Sequence, residues 1–361
     1  SEEADTLLKD ILRMATEQQS RAFAASAYHL VTGYNLKSYS FDKVAYTGRK
    51  SLAYYGDTGE FTLRRQNVLE IMASAAVLRN DADAADEALA ELEQLIESGT
   101  PEVADRLPQA RAERDLMVGE YSRARAALRQ LDAAGTGSDD FRYRRLLLEG
   151  IANYHLCDWP ELLRIGKEIG TLGPKHAANL SQVNAHIAVA THYMGGKNAE
   201  EYLQQAEFNT SQIRNDFDAV DSRRTLAECC LLMGREERAE QIAAEAVAIG
   251  LRHSATYPVF TLLMVLVEIW HGRGQKQPVE YYLTEAGFLI ERGYLVRNRD
   301  AMLYHYYRWA LDAGEGGARR TAVAALTTEL ERLGESDLAR AFLATRYYAQ
   351  VAQDLEVSVP V

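Results

Sequence analysis

The chain has 361 residues, of which 47% are hydrophobic and 25% are charged, a balance typical of a folded globular protein. Its net charge of -12 argues against nonspecific nucleic-acid binding, which requires clustered positive charge. Three cysteines, two of them adjacent at Cys229 and Cys230, do not make a disulfide framework. They favour a cytoplasmic location and leave a periplasmic one open. The apolar run from Tyr257 to Trp270 is too short to span a bilayer and contains Glu268, so it predicts a buried helix.

Taken in chain order, apolar helical runs alternate with single Gly or Asp turns. The first turn falls loosely near residues 37–40, and seven more follow at steps of 38 to 40 residues, at Asp81, Gly119, Asp158, Gly196, Gly234, Gly274 and Gly314. Such a period is typical of stacked helical hairpins. We expect hairpins over about 5–55, 60–98, 102–133, 140–171, 177–213, 217–252, 257–293 and 298–334.

The C-terminal residues predict a cap for this stack. Ser336 and Asp337 suit the N-cap position of a last helix, which we expect over 336–354. Residues 355–361 carry no helical pattern and are predicted as a flexible tail. The sequence therefore predicts one helical-repeat domain over residues 1–354.

Small residues recur where two helices of one hairpin must approach closely. Ala124 follows the turn at Gly119, and Ala239, Ala243 and Ala246 follow the turn at Gly234. Over roughly residues 20–335 this pattern resembles the tetratricopeptide repeat family. The resemblance implies an all-α, right-handed α-α superhelix of about eight hairpins with a C-terminal capping helix.

Two departures from that family refine the resemblance. The step exceeds the family's usual repeat of about 34 residues, and the Pro that commonly closes each repeat is missing. The longer step is similar to the repeats of bacterial regulators, among them maltose-activator-type transcription factors and peptide-pheromone receptors. That likeness implies a role in bacterial signalling or assembly.

Motifs for catalysis or cofactor binding are not found in the sequence. There is no phosphate-binding loop and no His-Glu-x-x-His, and the glycine run at 314–317 falls at an expected turn. His155 and His192 occupy successive repeats and are a conceivable metal pair, but single histidines on such helices are more often packed or solvated. We therefore expect no enzyme activity, no metal and no cofactor.

The resemblance places the first helix of each hairpin on the concave surface. Positions in that register are richer in Arg and Tyr than their Ala and Leu neighbours, and these side chains often anchor partners. The alternative is that they form ordinary solvated faces. The predicted groove residues are Arg106, Gln109, Glu113, Arg144, Tyr154, His155, Gln182, His192, Tyr193, Asp221, Arg224, Glu228, Tyr304 and Arg308.

These observations predict a non-catalytic scaffold or regulatory module that binds a protein or peptide segment in its groove, without nucleic acid or a membrane span. The alternative is a ligand-sensing domain of a larger transcriptional or signalling regulator. The aromatic residues Tyr306, Tyr307 and Trp309 either fill space between repeats or form the self-association patch of a homo-oligomer.

Overall fold

Helices account for the regular structure of this chain. A computed structural model describes residues 6, 9–14, 20–37, 41–56, 61–79, 81–97, 106–133, 139–173, 176–252, 256–291, 298–312, 316–333 and 336–357, and no strand occurs among them. The helices are α1 (Arg21–Lys37), α2 (Phe41–Tyr55), α3 (Thr62–Arg79), α4 (Ala82–Glu97), α5 (Arg106–Val118), α6 (Tyr121–Ala133), α7 (Asp139–Leu156), α8 (Trp159–Leu172), α9 (Ala177–Tyr193), α10 (Ala199–Ser211), α11 (Asp216–Leu232), α12 (Glu236–Arg252), α13 (Thr256–Gly272), α14 (Lys276–Glu291), α15 (Asn298–Leu311), α16 (Gly316–Leu333), α17 (Ser336–Leu343) and α18 (Arg346–Leu355). This architecture confirms the predicted all-α class.

Glycine and aspartate make the turns within the hairpins. Gly119, Gly195, Gly234 and Gly274 have φ between 69° and 87°, a left-handed conformation that costs glycine nothing. At the equivalent turn before α8 the left-handed residue is Cys157, with φ of 58°. There the next residue, Asp158, caps α8 by accepting a hydrogen bond from the Glu161 amide at 3.3 Å.

From α3 onward the helices come in pairs; α7 and α8, for example, span 139–172, where a hairpin was expected over 140–171. The turns expected at residues 38–40 and at Gly314, like residues 358–361 of the predicted tail, lie outside the described residues. So does much of the segment before α1, where the first hairpin was expected to begin.

Two short helices, α17 and α18, stand where one capping helix was expected. The chain breaks at Thr345, which adopts an extended conformation with ψ of 146°. Its hydroxyl donates to the Phe342 carbonyl oxygen at 2.6 Å, so the side chain satisfies a carbonyl at the end of α17.

The chain forms two compact units, Ser1–Met117 and Val118–Val361. The first unit packs α1 against α2 and α3, and α3 against α4. Its core contains Val44, Val68, Leu69 and Leu92, each at most 1% exposed.

In the second unit the first helices of successive hairpins pack in series, α7 on α9, α9 on α11, α11 on α13 and α13 on α15. Each also packs against the second helix of its own hairpin. The first and last hairpins of the unit also meet through their second helices, because α16 contacts α6. Ser122 Oγ there donates to the Arg332 carbonyl oxygen at 3.2 Å, and the Arg332 guanidinium lies 3.1 Å from Glu120.

Candidate functional site

Two small cavities lie among the helices of the second unit, and the residues that line them are here called the lumen. The cavities have volumes of about 30 and about 20 Å³ and share Glu228, Asp300 and Tyr348. Each has room for roughly one or two water molecules, so neither holds a ligand of any size. The remaining lumen residues are Tyr121, Tyr154, His155, Cys157, Trp159, Leu231, Leu232, Thr261, Met264, Val265, Glu268, Arg299, Leu303 and Thr345.

The C-terminal segment contributes Thr345 and Tyr348 to the lumen. Tyr348 of α18 is 7% exposed and stacks on Phe342 of α17, with ring centroids 4.1 Å apart. Outside the lumen, α18 is fastened by Tyr306, whose hydroxyl donates to Asp354 at 2.6 Å. A side chain of the C-terminal helix, Tyr348, thus lies in the lumen.

A buried ion pair lies at the end of the lumen formed by α15. Arg299 donates from Nε to Glu329 Oε1 at 2.5 Å. Its guanidinium also lies over the rings of Phe342, Tyr121 and Tyr348, at 4.6, 5.1 and 5.9 Å. Burial by itself lowers the pKa of Arg299, but Glu329 together with Tyr348, Tyr121 and Cys157 outweighs it, and the net shift is upward. Arg299 therefore stays charged and joins α15, α16 and both C-terminal helices.

Two titratable side chains of the lumen wall, Cys157 and Tyr348, are held in their neutral forms. Burial raises the pKa of Cys157 to about 12 and also raises that of Tyr348. His186, which stacks on the lumen residue Tyr154 at 4.3 Å, has its pKa lowered to about 3 by burial and by the nearby Arg224. The wall therefore offers a neutral thiol and phenol beside the charged Arg299 and the carboxyl groups of Glu228, Glu268 and Asp300.

Stacked rings line one side of the lumen. His155 stacks on Tyr121 with centroids 4.4 Å apart. The lumen residue Trp159 stacks on Tyr193 at 5.0 Å. These stacks join α6 to α7 and α8 to α9.

The structure brings three of the predicted groove residues to the lumen, namely Tyr154, His155 and Glu228. Arg224 is instead buried and binds within its own helix, to Asp221 at 2.8 Å and to Glu228 at 2.6 Å. The Arg224 guanidinium is therefore paired with these two carboxylates, and its contact with Glu228 orients that side chain.

The other predicted residues lie elsewhere. Arg144 and His192 are exposed, and Gln182, Tyr193, Tyr304 and Arg308 are half-buried. Tyr304 packs between hairpins, with its ring 6.3 Å from that of Phe260. Gln109 and Glu113 lie on α5 in the first unit, and the side chain of Arg106 lies outside the described residues. A role in binding stays a prediction for all of these residues.

Sequence reasoning missed Tyr121, Arg299, Asp300 and Tyr348. They come from the start of a second helix, the first turn of α15 and the C-terminal cap, and none of these fits the repeat register. Only Arg299 and Asp300 carried a signal, as two charged residues opening an apolar helix.

Two other expectations concern chemistry and association. Among the described residues, no three His, Cys, Asp or Glu side chains gather as a metal site, and no described helix is long and apolar enough to cross a membrane. Tyr306 and Tyr307 are 2% and 1% exposed, which places them in the core rather than on a self-association patch.

The packing of successive helix pairs gives this chain an all-α helical-repeat fold. Its fold is similar to that of a Rap protein solved in complex with the competence and sporulation factor, with a TM-score of 0.63 at 13% identity. The match covers 92% of this chain and 98% of that one. The apo form of RapI gives a TM-score of 0.48 at 8% identity, over 92% and 97% of the two chains. No family model and no curated protein matches the sequence.

Proposed function

We propose that the second unit is a non-catalytic regulatory module of a bacterial signalling system, and that it binds a peptide or protein segment on the lumen surface. The observation that carries this proposal is the presence of Glu228 and Asp300 on the inner faces of α11 and α15. Asp300 is 8% exposed and accepts a hydrogen bond from Thr261 at 3.1 Å. Burying carboxylates costs stability that aliphatic residues would not cost.

The likeness to a Rap protein solved with the competence and sporulation factor supports the proposal, because the two folds match over nearly their whole length. The three cysteines are free and buried, which supports a cytoplasmic location. Peptide binding here requires room that the small lumen cavities do not provide. We therefore assign α18 as the segment that the peptide displaces, with Tyr348 as its anchor.

A library experiment tests the proposal on the full chain. Peptides are selected from a random display library, and their affinities are measured by fluorescence anisotropy for the wild type, Glu228→Gln and Asp300→Asn. We expect each change to weaken binding about tenfold, or about 1.4 kcal/mol. Glu237→Gln, an exposed position on α12, is the matched control and should leave affinity unchanged.

The role of α18 is tested separately with Asp354→Asn. This change weakens the hydrogen bond from Tyr306 and loosens α18, so selected peptides should bind more tightly. Selected peptides whose affinities ignore both Glu228 and Asp300 would show that the lumen is not the binding surface.

A further inference from the structure

A second opening lies between α8, α9 and α10 of the second unit, far roomier than the lumen. Its volume is about 470 Å³, within the usual range of small-molecule sites. The floor is apolar and includes Leu163 of α8 with Leu180, Val183 and Ile187 of α9. No residue that lines this crevice also lines the lumen cavities.

Two glycines one helical turn apart on α8 shape the crevice. A Cβ at Gly166 would lie 2.5 Å from Ile187 Cγ1, so this glycine allows α8 and α9 to approach closely. A Cβ at Gly170 would meet nothing within 4 Å, so the wall lacks a side chain there. Gly166 thus lies where α8 and α9 are close together, and Gly170 lies where the crevice wall has free space.

The polar groups around this floor have no partner in the described part of the chain. Lys167 and Lys197 form no ion pair there, and the Asn184 amide and Tyr202 hydroxyl form no hydrogen bond. Neighbouring arginines behave differently. Arg164, on the same helix as Lys167, pairs with Glu161 at 2.9 Å and with Glu168 at 2.8 Å. Two exposed, unpaired ammonium groups therefore flank the apolar floor of this crevice.

We propose that this crevice binds a small amphiphilic acid. Lys167 and Lys197 hold the carboxylate by charge-assisted contacts, and the apolar body of the ligand lies on Leu180, Val183 and Ile187. Asn184 and Tyr202 supply hydrogen-bond donors at the rim. A neutral or cationic ligand of the same shape leaves the two lysines without a counter-charge and binds less well.

Calorimetric titration of the full chain tests this assignment. Octanoate, laurate and phenylbutyrate are used below their micellar concentrations, with dodecanol and dodecylamine as neutral and cationic matches for laurate. We expect saturable one-to-one binding of at least laurate. Lys167→Glu combined with Lys197→Glu should weaken it tenfold or more, while Lys276→Glu, at an exposed lysine on α14, should not change it.

Gly170→Phe adds a test of the apolar floor, since the new side chain has space and would occupy the crevice. It should also weaken laurate binding at least tenfold with the helix content unchanged by circular dichroism. The proposal is overturned if none of the acids binds, if dodecanol binds as tightly as laurate, or if the lysine variants retain full affinity. It is overturned as well if the chain sediments with phosphatidylglycerol vesicles but binds no free acid.

Discussion

Replacing Arg299 by Met should be among the most destabilising changes in the second unit. Arg299 and Glu329 are 6% and 1% exposed, so the substitution leaves a carboxylate buried without its counter-charge. Breaking a buried pair in this way costs about 3–5 kcal/mol. The guanidinium also loses its ring contacts, of which the closest is with Phe342 at 4.6 Å, adding about 0.5–1 kcal/mol. We expect a total loss of about 3.5–6 kcal/mol.

The assay is urea unfolding followed by tryptophan fluorescence. All the tryptophans of the chain, Trp159, Trp270 and Trp309, lie in the second unit, so the signal reports that unit alone. Arg299→Met with Glu329→Leu should recover most of the stability, because two apolar side chains replace the pair. Glu331→Gln, an exposed position on α16, is the control. A loss below about 1 kcal/mol for Arg299→Met, or a double variant whose loss equals the sum of the single losses, would refute this reasoning.

Further predictions concern single groups of the same unit. His186 is neutral in the folded state, because its pKa is about 3 there and 6.5 in the unfolded chain. The free energy of unfolding should therefore fall as the pH drops below about 6.5, by about 2 kcal/mol at pH 5. The urea midpoint of His186→Gln should lose this pH dependence, whereas that of the exposed His192→Gln should keep it. Burial raises the pKa of Cys157 and Cys230 to about 12 and also raises that of Cys229. Iodoacetamide at pH 8 should therefore label no cysteine until the chain is unfolded, which mass spectrometry measures. Rapid labelling of the folded chain would contradict the burial of these thiols. Gly166→Ala should lower the melting temperature because its Cβ meets Ile187, whereas Gly170→Ala should raise stability by about 0.5–1 kcal/mol; equal effects of the two changes would be inconsistent with the crevice geometry.

The hairpins could be predicted from sequence because each turn depends on local residues. A glycine at Gly119, Gly234 or Gly274 supplies the left-handed conformation, and the chain folds back at that point whatever surrounds it. The turn at Gly196 was one residue off, since the left-handed residue is Gly195. Such small shifts matter little for the architecture but displace a side-chain register.

The repeat register located Tyr154, His155 and Glu228 on the inner surface but did not show which neighbours they meet. Arg224 illustrates the difference. Its spacing of three from Asp221 and four from Glu228 already favours ion pairs along one helix face, and the structure has both. Helical spacing could therefore have excluded Arg224 as a free anchor, whereas the meeting of Arg299 with Glu329 and Tyr348 depends on the packing of the whole unit.

Strain and charge are concentrated on the lumen wall. Cys157 holds a left-handed conformation where equivalent turns use glycine, at a cost of about 1–2 kcal/mol for a residue with a Cβ. Glu228, Asp300 and Arg299 add the desolvation of charged groups to the same surface. A wall selected only for packing would carry glycine at the turn and aliphatic residues beside it. Strained and buried polar groups often persist where a function maintains them, so the lumen wall supports the proposal of a binding surface that α18 covers.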